Sequence, residues 1–160
     1  MKFKELRKDY NIISVISILM AIFHIYTALF GTLTALWQRS IHLCFGMLTT
    51  FLLSTKKTNK KHVKFVSVVL GIVAIITVVY FLVDFEGVVQ RFSRPNTSDF
   101  LIGLAILLLT LEFARRNAGN ILPAIAIVFL LYALLGPYLP GMLRHRGYDL
   151  ERIVTQVSLS

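Results

Sequence analysis

The chain is short of what a soluble enzyme displays. It holds one cysteine, Cys44, so no internal disulfide can form. Cys44 lies in an apolar run and reads as a small buried hydrophobe, with nothing around it that speaks of zinc or redox chemistry. Charged residues make up 16% of the sequence, against about 25% in soluble domains. They are also bunched, leaving long stretches with none. No Gly-rich phosphate loop, HExxH, CxxC or supported Ser-His-Asp set occurs, and no pair of carboxylates can be argued to face a pocket. The reading is therefore a chain with no catalytic residue, no cofactor and no metal, and not an enzyme. A cleavable signal peptide is also missing. Lys2, Lys4, Arg7 and Lys8 precede a hydrophobic run, but that run, Tyr10 to Gln38, is too long for a signal core and has no small-x-small exit.

What the sequence has is apolar length. Of its 160 residues 56% are hydrophobic, and mean hydropathy is +0.73. That excludes a disordered chain and argues against a soluble domain. The expected class is all-α, a polytopic bundle of four to five transmembrane helices. Net charge is +9 with a pI near 10.0. A basic surplus can signal nucleic acid. Here the lysines flank hydrophobic spans, as cytoplasmic loops do, so no nucleic-acid partner is expected.

A spanning helix needs about 20 apolar residues. Ile12 to Leu33 meets this, with His24 its only ionisable group. Leu36 to Leu53 is less clean. Arg39 and His42 stand three apart near its start, hence on one helical face, and Trp37 beside them suits the headgroup boundary. This segment tilts, lies shallow or begins with an interfacial turn. Lys56, Lys57, Lys60, Lys61 and Lys64 follow in one loop with His62. Val66 to Val83 is rich in β-branched residues, yet in lipid a helix satisfies its own backbone, so length decides for a third span. Gly71 and Ala74 offer it a close-packing face. Asp84 to Asp99 is polar and mixed in sign. Asp84 and Glu86 most simply stop the third helix at water, and Thr97 or Ser98 can cap the next.

The run from Phe100 to Leu111 covers only about 18 Å and spans only if its helix continues through Glu112 to Arg116. Glu112 then shares a face with Arg115 and Arg116, either as a local ion pair anchoring a short helix or as a gate or docking clasp. Pro123 suits the first turn of a fifth segment, Ile121 to Leu135, which Pro137 and Pro140 end. After Gly147, the residues Leu150, Ile153, Val154 and Val157 fall at helical spacing, with Asp149 as cap and Glu151 in the first turn. So close to the end of the sequence, this helix is expected to have little to pack on.

Counting Lys and Arg sets the orientation. The N-terminus, the 54–64 loop and the Arg115-Arg116 turn are the basic sides, so the expectation is a bacterial plasma-membrane protein with a cytoplasmic N-terminus. Five spans place Tyr138 onward outside. A re-entrant fifth segment or a flat second one reverses that. His24 reads as a packing group or a proton relay, and Arg39 with His42 as a boundary anchor or a contact for a neighbouring subunit. The lysine loop can also attract anionic lipid.

Five stretches carry a resemblance. They are Leu36-Trp37-Gln38-Arg39-Ser40-Ile41-His42-Leu43, Leu107 to Arg116, Leu122-Pro123, Phe129 to Gly141 with its Gly136-Pro137-Tyr138-Leu139-Pro140-Gly141 turn, and His145-Arg146-Gly147-Tyr148. In that order they resemble the N-terminal region of fused permeases of tripartite ATP-independent periplasmic (TRAP) transporters, of the kind served by TAXI-type binding proteins. The last two stretches are the most specific, and residues before Leu36 match only in hydropathy. The resemblance implies a secondary transporter for small organic solutes, driven by an ion gradient. Its partners would be a large M-type permease domain or subunit, a periplasmic TAXI-type solute-binding protein and membrane lipids. It implies a cytoplasmic segment over 1–11, a small Q-like scaffold over 12–140, and a linker over 141–160 opening an M-type domain that would hold the transport sites and lies beyond this sequence. Arg39, His42, Glu112, Arg115, Arg116, Pro137 and Pro140 are then structural or interface residues. The reading that needs no resemblance is an independent small integral membrane protein, an assembly factor or a lipid-binding adaptor.

Overall fold

Each long apolar run is a helix in the computed structural model, which describes residues 2–31, 33–92 and 94–159, with side chains from residue 12 onward save 32, 35 and 159. The order is α1 (Lys2–Phe30), α2 (Ala35–Lys57), α3 (Lys61–Val83), α4 (Phe85–Gln90), α5 (Thr97–Ala118), α6 (Ile121–Leu135) and α7 (Leu150–Leu159), with short 3-10 turns at Gly136–Tyr138 and Gly141–Leu143. The protein is an all-α polytopic bundle. Among the described residues four stretches, Ile12–Phe30, Lys61–Val83, Thr97–Ala118 and Ile121–Tyr138, are long and apolar enough to cross a membrane. α2 matches them in length, but Gln38, Arg39, Ser40 and His42 in its first half make it less apolar. α1 starts well before the apolar run, at Lys2. The β-branched third run is helical throughout, as backbone satisfaction in lipid requires.

The chain divides into two compact units, one up to Leu82 and one from Val83. In the first, α1 and α2 form an antiparallel hairpin: Thr27 meets Gln38 while His24 meets His42, the partners receding from the turn together. α3 buries Ser67, Gly71, Ala74, Thr77 and Phe81, one stripe at spacings of three and four. Leu48 of α2 lies 3.7 Å from where a Gly71 side chain would begin, an ordinary contact. Two hydroxyls of α3 turn back onto their own helix, Ser67 to the Val63 carbonyl at 2.8 Å and Thr77 to the Ala74 carbonyl at 2.8 Å, so neither asks lipid for a partner. The outward faces are apolar: Ile22, Leu29, Phe65 and Val68 are all exposed.

In the second unit α5 and α6 form another antiparallel hairpin, closed at Gly119, whose N–H bonds the Arg115 carbonyl. α5 begins one or two residues earlier than the sequence suggested. Asn96, not Thr97 or Ser98, is the N-cap, in a reciprocal capping box with Asp99. The hydroxyl residues lose because only a cap at 96 puts Asp99 at the third helical position, where its carboxylate accepts from the cap amide; a cap at 97 or 98 would put Phe100 or Leu101 there.

The C-terminal helix overturns one expectation. α7 has a great deal to pack on: it buries Ile153, Val154 and Thr155 and lies along α5. The docking point is Gly103, where any side chain would run into Val154 and Ser158. Residue spacing shows an amphipathic face but not its partner, and a glycine two turns into α5 is what admits it. Asp149 does cap this helix, accepting from the Arg152 N–H at 2.7 Å.

Candidate functional site

The polar side chains of this apolar bundle gather into four clusters. The first joins α1 to α2. His24 Nδ1–H donates to the Met20 carbonyl at 2.7 Å, since a carbonyl can only accept. In the neutral ring His24 Nε2 is then an acceptor, and His42 Nδ1–H donates to it at 2.9 Å, the rings meeting edge to face at 4.9 Å. One turn nearer the connection, Gln38 donates to the buried Thr27 hydroxyl at 3.1 Å, and that hydroxyl donates to the His24 carbonyl. His42 thus serves a contact inside the chain. Arg39, its expected companion, is exposed. Within this geometry the His24–His42 bond is a hairpin fastener. A double-mutant cycle with His24→Leu and His42→Leu is expected to give a coupling of about 0.6 kcal/mol, the typical size of an interhelical hydrogen bond in a membrane protein. Unfolding in mixed micelles measures it.

The second cluster is the Glu112 clasp. Arg115 donates twice to Glu112, at 2.7 and 2.8 Å, and Arg116 donates to the same carboxylate at 2.6 Å. Glu112 is 24% exposed and Arg116 10%, whereas Arg115 is half open to its surroundings. All three lie in the last turns of α5, where arginines also complement the carbonyl end of the helix. The pairs are intrahelical, at the spacings of three and four that put these residues on one face. A shallow opening of about 330 Å³ beside Glu112 and Arg115 is lined by Pro123 and Ile127 of α6.

The third cluster was not visible in the sequence. Arg91, just past α4, bonds Asp84 at 2.5 Å and Asp99 at 3.0 and 3.3 Å. Asp99 is 1% exposed and also accepts from the Asn96 N–H at 3.0 Å. Hydrogen bonds that the Arg91 guanidinium donates first to Asp99 and then to Asp84 hold it above its ordinary range. Asp84 does more than end α3. It is one jaw of a clamp that pins the segment leading into α5. The available signal was a pair of arginines, Arg91 and Arg94, between two aspartates, which spacing alone cannot match.

The fourth cluster joins the two stretches that close the resemblance. The His145 ring lies on Gly136, with no room for a side chain there. His145 Nε2–H donates to the Tyr132 carbonyl at 3.0 Å, and Nδ1 accepts the Gly147 N–H at 3.1 Å, which fixes a single neutral tautomer. Backbone bonds run from the His145 N–H to Gly136 O at 3.1 Å and from the Tyr148 N–H to Ala133 O at 3.0 Å. Gly147 takes φ +74° and packs on Pro137, so the chain turns back along α6. Pro137 sits in the 3-10 turn that ends α6, and Pro140 starts the next turn at Gly141–Leu143. Both prolines are exposed.

Arg39 and His42 lie one turn apart on α2 of the first unit; in the second unit the Glu112 group stands in the last turns of α5 and the two prolines follow the far end of α6. Among the described residues no group of three metal-ligating side chains converges. Compared with known proteins, the chain matches no family model, no curated protein and no solved structure.

Proposed function

We propose that this multi-span protein is a non-catalytic membrane scaffold, and that it is the Q-like portion of a TRAP permease served by TAXI-type binding proteins. The observation that carries the reading is the fourth cluster. The two most specific stretches of the resemblance, 129–141 and 145–148, fold onto each other through Gly136, His145 and Gly147. The resemblance thus rests on residues with a geometric task and not on apolar filler, which any membrane helix would supply. In this reading the exposed apolar faces of α1, α3 and α6 contact lipid and a large M-type permease part. That part carries the ion-coupled movement of a small organic solute, while the TAXI-type protein docks from the periplasm. The N-terminus and the α2–α3 lysine turn face the cytoplasm.

Two experiments test it. Co-purification with an M-type chain supports the reading, and solute uptake by this chain alone in liposomes sinks it. Impermeant labelling is expected to reach a tag at the N-terminus and one at Lys60 from the same side of the bilayer, because α1 and α2 form a crossing hairpin. Labelling from opposite sides rejects both the crossing of α2 and the orientation.

A second reading stays nearer to what the bundle alone requires. It is an independent small integral membrane assembly factor, or an adaptor that holds anionic lipid. The observation in its favour is that Lys57, Lys60, Lys61, His62 and Lys64 are all exposed at one turn. Each basic residue near an anionic surface contributes about 1 kcal/mol. A stable, functional chain with no M-type partner in the same cells favours this reading over the first.

A further inference from the structure

The fold leaves a cleft of about 620 Å³ between α6 and α7, floored by Leu107 and Leu111 of α5 and walled by Phe129, Leu130 and Val157. Ligand pockets fall at roughly 300–1,000 Å³. The cleft exists because α7 docks on α5 at Gly103 and is tied to α6 at its entrance by the Tyr148–Ala133 bond, touching α6 little beyond it. That bond also sets the depth. Ala133 lies in the last turn of α6, just before the helix yields to the Gly136–Tyr138 turn. Arg152, one turn after Tyr148, therefore stands at the polar end, and the apolar walls descend from it along α6 toward Ala126.

Arg152 is the single charged residue lining the cleft. Its guanidinium lies 5.4 Å from the centre of the Tyr148 ring and makes no ion pair among the described residues. The charge around it is mixed but net positive. Asp149 and Glu151 share an adjoining polar pocket with Arg94 and Arg152, and Arg144 and Arg146 are exposed just before α7. A cation at the boundary above an apolar slot matches a molecule with an anionic head and a hydrocarbon tail.

We propose that this cleft is a lipid site: one acyl chain of an anionic phospholipid lies between α6 and α7 with its phosphate on Arg152. The proposal rests on the membrane embedding of the chain and not on the TRAP assignment, so either can fail without the other. It differs from attraction to the lysine turn, which needs no slot and selects no chain.

The test uses the full chain in lipid nanodiscs. Spin-labelled phosphatidylglycerol and phosphatidylcholine are titrated, and native mass spectrometry counts retained lipids. Arg152→Gln is expected to lower the preference for phosphatidylglycerol about fivefold. Ala126→Trp fills the slot and is expected to lower retention of both lipids. Tyr138→Phe, exposed and outside the cleft, is expected to leave retention unchanged. Circular dichroism checks helicity, and if Ala126→Trp fails to fold, the exposed Arg152→Gln decides alone. Unchanged phosphatidylglycerol preference in Arg152→Gln overturns the proposal. So does a photo-crosslinker at Val157 that captures a second copy of this chain or another polypeptide instead of lipid.

Discussion

Asp99→Ala is expected to destabilise the second unit by about 3 kcal/mol in detergent unfolding. Loss of the buried carboxylate forfeits its charge-assisted bond from the Asn96 N–H, about 2 kcal/mol, and loosens the start of α5 by about 1 kcal/mol; Arg91, a third exposed at 33%, adds nothing to that figure. The substitution removes the acceptor for the Arg91 guanidinium and for the Asn96 N–H, so it also opens the capping box that starts α5. Arg91→Ala should destabilise as well, for a different reason. It leaves the Asp99 carboxylate buried without its cation. The sign of the coupling separates this account from simple loss of packing. In the Arg91→Ala background, Asp99→Asn removes the stranded charge while keeping an oxygen for the cap amide, so it should raise stability. In the parent chain the same substitution should lower it. If Asp99→Asn lowers stability in both backgrounds, the clamp is not an electrostatic unit.

That clamp also shows where sequence reading stopped. The long helices were legible because burial in lipid imposes a simple rule, and α1, α3, α5 and α6 follow it. The Glu112 clasp was legible because its partners lie three and four residues away on one helix. The end of α6 was legible because Pro137 cannot continue a helix. Each of these facts is local. The His24–His42 bond is not, since it depends on the register of a hairpin that hydropathy does not set. The Arg91 clamp needs α4, a six-residue helix that folds Asp84 toward Asp99. Docking of α7 turned on Gly103, which in sequence is indistinguishable from any other small residue in a membrane helix. Patterns of period 3.6 revealed which residues lie on one face, and the glycines decided which faces meet.

Gly136→Ala tests that last point and is expected to cost about 3 kcal/mol. Two costs combine. Gly136 is helical, at φ −44° and ψ −44°, immediately before Pro137, a conformation that a side chain at that position disfavours. The added methyl also occupies the space of the His145 ring. Moving the ring breaks its bonds to the Tyr132 carbonyl and the Gly147 N–H, worth about 1 kcal/mol each; the remainder is backbone strain of about 1 kcal/mol. Release of the ring frees the segment that carries the chain from α6 to α7, so trypsin should cut faster at the exposed Arg144 and Arg146. His145→Ala separates the two costs. It forfeits the ring's hydrogen bonds by itself, but it empties the space that the methyl needs. In that background Gly136→Ala should cost only the strain, about 1 kcal/mol. Strict additivity of the two substitutions would show that the ring and the glycine do not share a site. The fold of the segment joining α6 to α7 would then rest on the Tyr148–Ala133 backbone bond and the Gly147 turn alone.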